Sequence, residues 1–434
     1  MSQPPSHLKR TFGPVPTLKE LNVACWACLL AFIVIPTGFV VSQRQLRGQF
    51  LQSLGADFIY FYSMGRIVNE QPAERLYDYA LQQRVCSDIR PLAKGSYGRI
   101  PYHPYVGVVL QPFARMTYAS AYLLWVAISF ALYIAGVVLV SRRCFPDEPV
   151  IRSLLLCLSL AFYPFIGWVI MSGQFSAVGF FAISIAFYLE DIGLPIQGGV
   201  ALSLCLYKPT LLVFIIPMLL LTRRVRILAG FSAGGLLLAL LPTAVLGPGV
   251  WKGYLGMLLD SGGGAVNSTT FRDLSKYVDL AAVARSVSGQ PARLAAAILL
   301  GAAALAALFQ FRLWWNSRNL GRAARAYAWS AAITWTLVLN VYTPIYDTIL
   351  VVIAVIATAG ALNEDRGRPL RGWFIALSVA VFVAAWVTID IAVATRFQLI
   401  TALFAAMGLV QMALLRGEIR ATAESDIHRA QTVI

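Results

Sequence analysis

The stretch YASAYLLWVAISFALYIAGVVLV, residues 118–140, decides the fold. It runs for 23 residues without a charged side chain, and Arg142 and Arg143 follow at once. A helix of that length crosses a hydrocarbon core of ~30 Å. Inside lipid every backbone donor and acceptor must be satisfied within the protein, which only helices and closed barrels achieve. This run is too long and too uniformly apolar for an alternating barrel strand, so the chain is expected to be an all-α polytopic membrane protein.

The pattern recurs outward in both directions. Full spans thread through Leu21–Val41, Tyr118–Val140, Val150–Ile170, Phe175–Leu189 and Ile227–Gly247. Later spans are Leu294–Phe311, Ala326–Asn340, Ile345–Leu362, Trp373–Ile389 and Phe397–Leu415. Pro104–Met116 is short and proline-bounded, and Ile196–Thr222 is interrupted at Lys208-Pro209. Proline removes a helix hydrogen bond there, so both segments read as half-helices or re-entrant pieces. The total is roughly 10 to 13 membrane segments. Across all 434 residues, 59% are hydrophobic and 13% charged, a balance far from that of a soluble domain.

Arginine and lysine clusters mark the cytoplasmic side. They fall in the first 20 residues, at Arg142-Arg143 with Arg152, at Arg223-Arg224 with Arg226, and at Arg312, Arg318, Arg322 and Arg325. Two more are Arg366, Arg368 and Arg371, then Arg416 and Arg420. One integral membrane domain (1–434) is expected, with cytoplasmic tails at 1–20 and 416–434. No cleavable signal is expected, because Leu21–Val41 is too long for a signal core and lacks a clear cleavage site. External loops are expected at 42–103 and 248–293. The second holds Gly262-Gly263-Gly264 and Asn267-Ser268-Thr269-Thr270, the composition of a lid.

The net charge of +15 is spread through loops, which fits anionic lipid headgroups and argues against nucleic acid. Six cysteines form no secreted framework. The Cys25–Cys28 pair has redox spacing but sits in an apolar helix, where small buried hydrophobes are expected. Three histidines cannot build a histidine-rich metal site.

Chemistry concentrates in the first loop, at Gly55-Ala56-Asp57-Phe58-Ile59-Tyr60-Phe61-Tyr62. If 55–68 is helical, Asp57, Tyr60, Phe61 and Met64 share a stripe. An acid among aromatics at a membrane surface is partly desolvated and moves toward general-base range. Flat aromatic faces beside it suit a sugar ring. The alternative is an interfacial helix with an aromatic belt, capped by Asp57. Lys208, at a break inside a membrane segment, wants an anionic partner such as a donor phosphate, or else snorkels to the headgroups. Arg99 and His103, at the loop's end, either contact phosphate or sugar or are solvated. Asp347 is either a second pocket carboxylate or a charge at a helix start. Asp78 reads as a cap, and Asp260, Asp273, Asp279 and Asp390 as interfacial or lid residues.

Asp57 with Gly65, Leu76-Tyr77-Asp78, Tyr102-His103-Pro104 and Leu110-Gln111-Pro112-Phe113-Ala114 form the first part of an ordered series. It continues through Gly173-Gln174, Lys208-Pro209-Thr210-Leu211 with Pro217 and Arg223-Arg224, to Tyr342-Thr343-Pro344-Ile345-Tyr346-Asp347. In order and spacing the series resembles the polyprenol-phosphate-mannose-dependent α-1,2-mannosyltransferases, a family of GT-C membrane glycosyltransferases. The resemblance covers roughly Ala24 to Leu362 and implies a GT-C-type helical bundle. It implies transfer of a hexose, mannose in that family, from a polyprenyl-phosphate donor to a lipid-linked or envelope glycan acceptor. It makes Asp57 the general base of an inverting single displacement. Tyr60, Arg99, His103, Gln174, Lys208, Tyr346 and Asp347 are the candidate substrate-binding residues. Some relatives carry a histidine or a second acid in the late-span motif where this chain has Thr348, which bears on acceptor contacts. No cofactor and no metal is expected. The implied location is the inner (plasma) membrane, with the site on the non-cytoplasmic face. The rival reading is a secondary transporter or flippase for lipid-linked sugars, supported by the break at Lys208.

Overall fold

The computed structural model describes residues 17–42, 54–91, 97–261, 274–286, 290–318, 321–365 and 367–432. The glycine run 262–264 and the polar run 267–270 lie outside them, as does Asp273. Among the described residues the chain is helical throughout, with a single isolated β-bridge between Tyr277 and Pro344.

In chain order, α1 is Leu18–Ser42, and the first loop holds α2 (Phe58–Glu70), α3 (Tyr79–Ile89) and α4 (Pro104–Leu110). Then come α5 (Tyr118–Cys144), α6 (Pro149–Leu160), α7 (Ser176–Asp191), α8 (Pro195–Leu202) and α9 (Ile215–Leu221). They are followed by α10 (Val225–Leu246), α11 (Gly249–Ser261), α12 (Leu280–Ser286) and α13 (Gln290–Asn316). The last four are α14 (Arg322–Val338), α15 (Val351–Glu364), α16 (Arg371–Thr395) and α17 (Leu399–Thr432).

Among the described residues seven helices are long and apolar enough to cross a membrane, and α6 with its continuation Pro164–Ile170, bent by 50°, makes an eighth. The larger number expected from sequence counts shorter pieces as well. These are α7 with 16 residues, α14 with 17, and the broken pair Pro195–Tyr207 and Pro209–Leu221. The 50° bend falls at Pro164, where the ring cannot continue the hydrogen-bond ladder and the chain winds as a π-turn.

Centre and rim differ in exposure. Every residue of α14 from Ala326 to Val338 is buried, and so is most of Ile345–Glu364. Leu30, Ile33 and Val34 on α1, Leu236 and Leu237 on α10, Leu305 and Leu308 on α13, and Val379 and Val383 on α16 are exposed. Such a perimeter is stable only against lipid. Cys28 lies on this outer face of α1, not buried as expected, and Cys25 is half-buried; both are free thiols.

The broken segment is a hairpin. Its ascending limb is α8 with the 3₁₀ turn Ser203–Tyr207, and its tip is Lys208-Pro209. The descending limb runs through Pro209–Leu212 and α9. Arg224, just past α9, pairs with Glu190 at the end of α7, so both limbs begin and end at one side of the bundle. α8 lies against α10 at backbone contact. A Cβ on Gly199 would stand 1.9 Å from the Ile227 carbonyl oxygen, and one on Gly230 would stand 2.0 Å from that of Ile196. Small residues at such a crossing let two helices approach where lipid supplies no hydrophobic drive.

Carboxylates and arginines gather at that same side. Asp191 receives Arg143 at 2.5 Å, Arg322 at 3.1 Å and Arg325 at 3.5 Å. Trp329 Nε1 donates to Glu190 at 2.6 Å, and Arg368 joins Glu418 of α17.

Replacing Gly199 or Gly230 by leucine is expected to destabilise the protein by about 3 kcal/mol or more, because backbone must move. Gly301→Leu, where a Cβ meets nothing within 4 Å, is the control. Thermal unfolding in detergent should separate them; equal melting temperatures would refute the close crossing.

Candidate active site

At the opposite end from the arginines, four distant stretches converge. The first is the turn entering α2. Gly55 adopts φ +70°, and its carbonyl accepts the Tyr118 hydroxyl at 2.5 Å. The Gly55 amide bonds the Met171 carbonyl at 2.8 Å, and the Asp57 amide bonds that of Ser172 at 3.0 Å. The second stretch, Ser172-Gly173-Gln174, turns through Gly173 at φ +74°. A Cβ on Gly173 would stand 2.6 Å from that of Phe58, so only glycine lets the two turns meet.

Asp57 precedes α2, but its carboxylate caps no helix amide. Helix therefore begins at Phe58, three residues later than the stripe supposed, and the carboxylate is turned elsewhere. Ser172 and Gln174 hydrogen-bond it, and Lys276 acts on it through charge. Burial nevertheless dominates and raises the Asp57 carboxyl above the ordinary range. The residue is half-buried, in a recess whose walls are aromatic. Phe61 packs on Tyr102 and on Phe175, each at 4.6 Å between ring centres, and Phe175 stacks on Trp125 at 4.4 Å. Tyr60, Tyr102 and Tyr346 are all within electrostatic reach of Asp57. The Tyr60 hydroxyl accepts the Gly98 amide at 3.3 Å.

The third and fourth stretches meet as an ion pair. Lys208 at the hairpin tip joins Asp347, and the Ser176 hydroxyl donates to the other Asp347 oxygen at 2.8 Å. Lys208 is 9% exposed and Asp347 1%. The ammonium also sits 4.7 Å from the Tyr342 ring centre and 5.0 Å from that of Tyr346. Neither sequence alternative for Asp347 describes it fully: it lies in a first helical turn, yet its role there is that of counterion to Lys208. Lys208 does not snorkel.

Arg99 and His103 are placed differently. Arg99 is exposed and lies 5.3 Å over the Tyr79 ring. His103 caps α4, its Nδ1 accepting the Tyr105 amide at 3.3 Å, and its ring packs against Trp251 and Tyr254 of α11. Burial lowers its pKa to about 4, so at neutral pH it offers a neutral N–H and no cation. Asp78 caps α3 as expected, accepting the Leu81 amide at 3.1 Å. Arg66 pairs with Glu70 on the same helix.

Two residues that sequence reasoning missed or misjudged close the site. Asp279, read as an interfacial or lid acid, is fully buried and clamps the late motif. Its carboxylate accepts the Thr343 amide and the Ala282 amide, each at 2.8 Å. Lys276 stands three residues earlier and was not singled out. An Asp that helps form a local turn before α12, with lysine nearby, carries no signal that either belongs beside Tyr342–Asp347. Among the described residues no group of three or more His, Cys, Asp or Glu is placed to hold a metal ion.

Removing Lys208 should leave a buried, unpaired carboxylate. Lys208→Met is expected to cost about 3–5 kcal/mol. The double variant Lys208→Met/Asp347→Leu should recover most of it. A double-mutant cycle of unfolding in detergent reads the coupling, and additive losses would refute the pair.

Residues 101–340, more than half of the chain, match the model of glycosyltransferase family 87. No curated protein and no solved structure matches it. The matched range contains Tyr102, Gln174 and Lys208, whereas Asp57, Tyr346 and Asp347 lie outside it and are joined to it by the contacts above. With its multi-span helical fold, the chain belongs to glycosyltransferase family 87, the polyprenyl-phosphate-sugar-dependent membrane glycosyltransferases of GT-C type.

Proposed function

We propose that this glycosyltransferase moves a hexose, mannose by resemblance, from a polyprenyl phosphate to a lipid-linked or envelope glycan, with Asp57 as general base. One observation carries the reading. The Asp57 carboxylate is spared from helix capping and held by the neutral donors Ser172 and Gln174 in a half-open aromatic recess. In the transfer, an acceptor hydroxyl gives its proton to Asp57 as its oxygen attacks the anomeric carbon. The bond from that carbon to the phosphate oxygen breaks, and polyprenyl phosphate leaves with the electron pair. A phosphate leaving group needs no protonation, so one carboxylate suffices, where a glycosidase needs two flanking the bond.

Sidedness follows from charge. The arginine cluster around Asp191 and Glu190 supports a cytoplasmic location for that end by the positive-inside rule, and with it an Asp57 end on the outer face of the inner membrane. The break at Lys208, the support for a transporter or flippase, is occupied by the ion pair to Asp347 and needs no transported solute to satisfy it.

Purified protein with polyprenyl-phosphate mannose should release polyprenyl phosphate, and Asp57→Asn should lower that release by about 10²- to 10⁴-fold with unchanged melting. Normal turnover by the asparagine variant would exclude Asp57 as base. The acid limb of the rate profile should lie above the ordinary carboxylate range, since burial favours the protonated form and only the anion is active. The Gln174 bond favours the anion. Gln174→Ala should therefore move that limb to higher pH, and a shift to lower pH would contradict the arrangement.

A further inference from the structure

The arginines at the Asp191 end divide into two sets. Arg143, Arg224, Arg322, Arg325 and Arg368 pair with Glu190, Asp191, Glu364, Asp365 and Glu418. Arg223, Arg226, Arg312 and Arg318 pair with no carboxylate among the described residues. The first two lie at the turn from α9 into α10, the others on the last turns of α13 and just past it.

Trp315 brings two of these cations together. The Arg318 guanidinium lies 4.1 Å from the centre of its ring and that of Arg223 lies 5.8 Å from it. The two charges are thus no more than about 10 Å apart, within one screening length at 0.1 M salt, and they repel. An indole face attracts each cation but neutralises neither.

The backbone sharpens the point. At the end of α9 the Arg223 amide donates to the Leu220 carbonyl at 3.0 Å, and the Arg224 amide to that of Leu219 at 2.9 Å. Such a stop needs left-handed backbone between the two bonds, where glycine is the usual occupant. Arg223 stands there instead, at φ +56°, and its exposed side chain goes to Trp315.

The apolar half of the patch is on α13. Leu305, Leu308, Arg312 and Trp315 succeed one another at spacings of three, four and three residues, so they share a stripe, and all four are exposed. The stripe runs from leucines through an arginine to an indole at the end of the candidate span Ala297–Asn316. Acyl chain and phosphate follow in that order along one phospholipid approaching the membrane surface.

We infer that Arg223, Arg312, Arg318 and Trp315 bind one anionic phospholipid of the leaflet at that end, with its acyl chains along Leu305 and Leu308. Its phosphate offsets the repulsion between the guanidiniums, whereas a zwitterionic headgroup brings an ammonium that adds to it. The site lies at the opposite end of the bundle from Asp57, and the inference stands whichever sugar or acceptor is used.

The test is equilibrium binding of phosphatidylglycerol and phosphatidylcholine to the full chain in an uncharged detergent. Phosphatidylglycerol should bind more tightly. Arg223→Gly and Arg318→Gln should each weaken it about 5-fold, the worth of one arginine beside an anionic surface, and together about 25-fold. Phosphatidylcholine binding should not move. Glycine suits the left-handed turn, so Arg223→Gly should melt no lower than wild type without added lipid, which separates lost binding from lost fold. Arg142→Gln, which removes an exposed arginine at the same end but on α5, is the control for surface charge. Unchanged phosphatidylglycerol affinity in the Arg223→Gly/Arg318→Gln variant would overturn the site. So would an equal loss in Arg142→Gln, the mark of diffuse attraction, or displacement of the lipid by excess inorganic phosphate, the mark of a site for any anion.

Discussion

Two charges that cannot stay unpaired in a low-dielectric interior organise the site. Lys208 and Asp347 are 139 residues apart in sequence, and each would be prohibitively costly alone at this depth. Pairing them joins the tip of the hairpin to the start of the late span. Ser176 ties the same carboxylate to α7, and Tyr342 and Tyr346 present their faces to the ammonium. Tyr346, which lies within electrostatic reach of Asp57, thus packs against the salt bridge.

Charge is sorted between the two ends of the bundle. One end holds arginines gathered on Asp191 and Glu190, each carboxylate shared among several helix termini. The other holds the carboxylates Asp57, Asp279 and Asp347, each with distinct partners. Between them lie helices whose buried polar side chains are mostly hydroxyls and amides. The arginine end clamps α5, α7, α9, α14 and α15 together, which allows the far end to be built from turns, 3₁₀ segments and broken helices. Irregular backbone at membrane depth is tolerated where neighbouring protein satisfies it, and the Asp57 and Gln174 turns satisfy each other.

Length and apolarity made the spans legible, because lipid imposes a minimum run that no soluble fold requires. The break at Lys208-Pro209 was equally legible, since proline and a charge inside an apolar run violate local rules at a single position. Asp57 stood out for the same reason. Pairings were another matter. Nothing near Lys208 says that its partner is Asp347 and not a substrate phosphate, and nothing near Asp279 distinguishes a clamp from a solvated loop acid. Lys276 was invisible because a lysine in a polar loop is the commonest arrangement there is. Its place beside the late motif comes from its carbonyl accepting the Ile345 amide and from the bridge of its neighbour Tyr277 to Pro344, contacts between loops far apart in the chain. His103 misled in the opposite direction. Its type suggested phosphate contact, while its packing on Trp251 and Tyr254 keeps it neutral.

The unequal treatment of the two site carboxylates bears on the chemistry. Asp347 is bound by a cation and a hydroxyl, so both of its oxygens are already engaged by protein groups. Asp57 is bound by neutral donors and its carboxyl is raised above the ordinary range by burial, which makes it the more basic kind of environment for a carboxylate. Had both been poised alike, the recess would suit an acid–base pair cleaving a glycosidic bond with water. With Asp347 engaged by Lys208, a single base remains, and a single base can activate an alcohol only against a bond whose other side departs unaided. A sugar phosphate is such a bond. The asymmetry between Asp57 and Asp347 thus favours transfer over hydrolysis on physical grounds, independently of the family match.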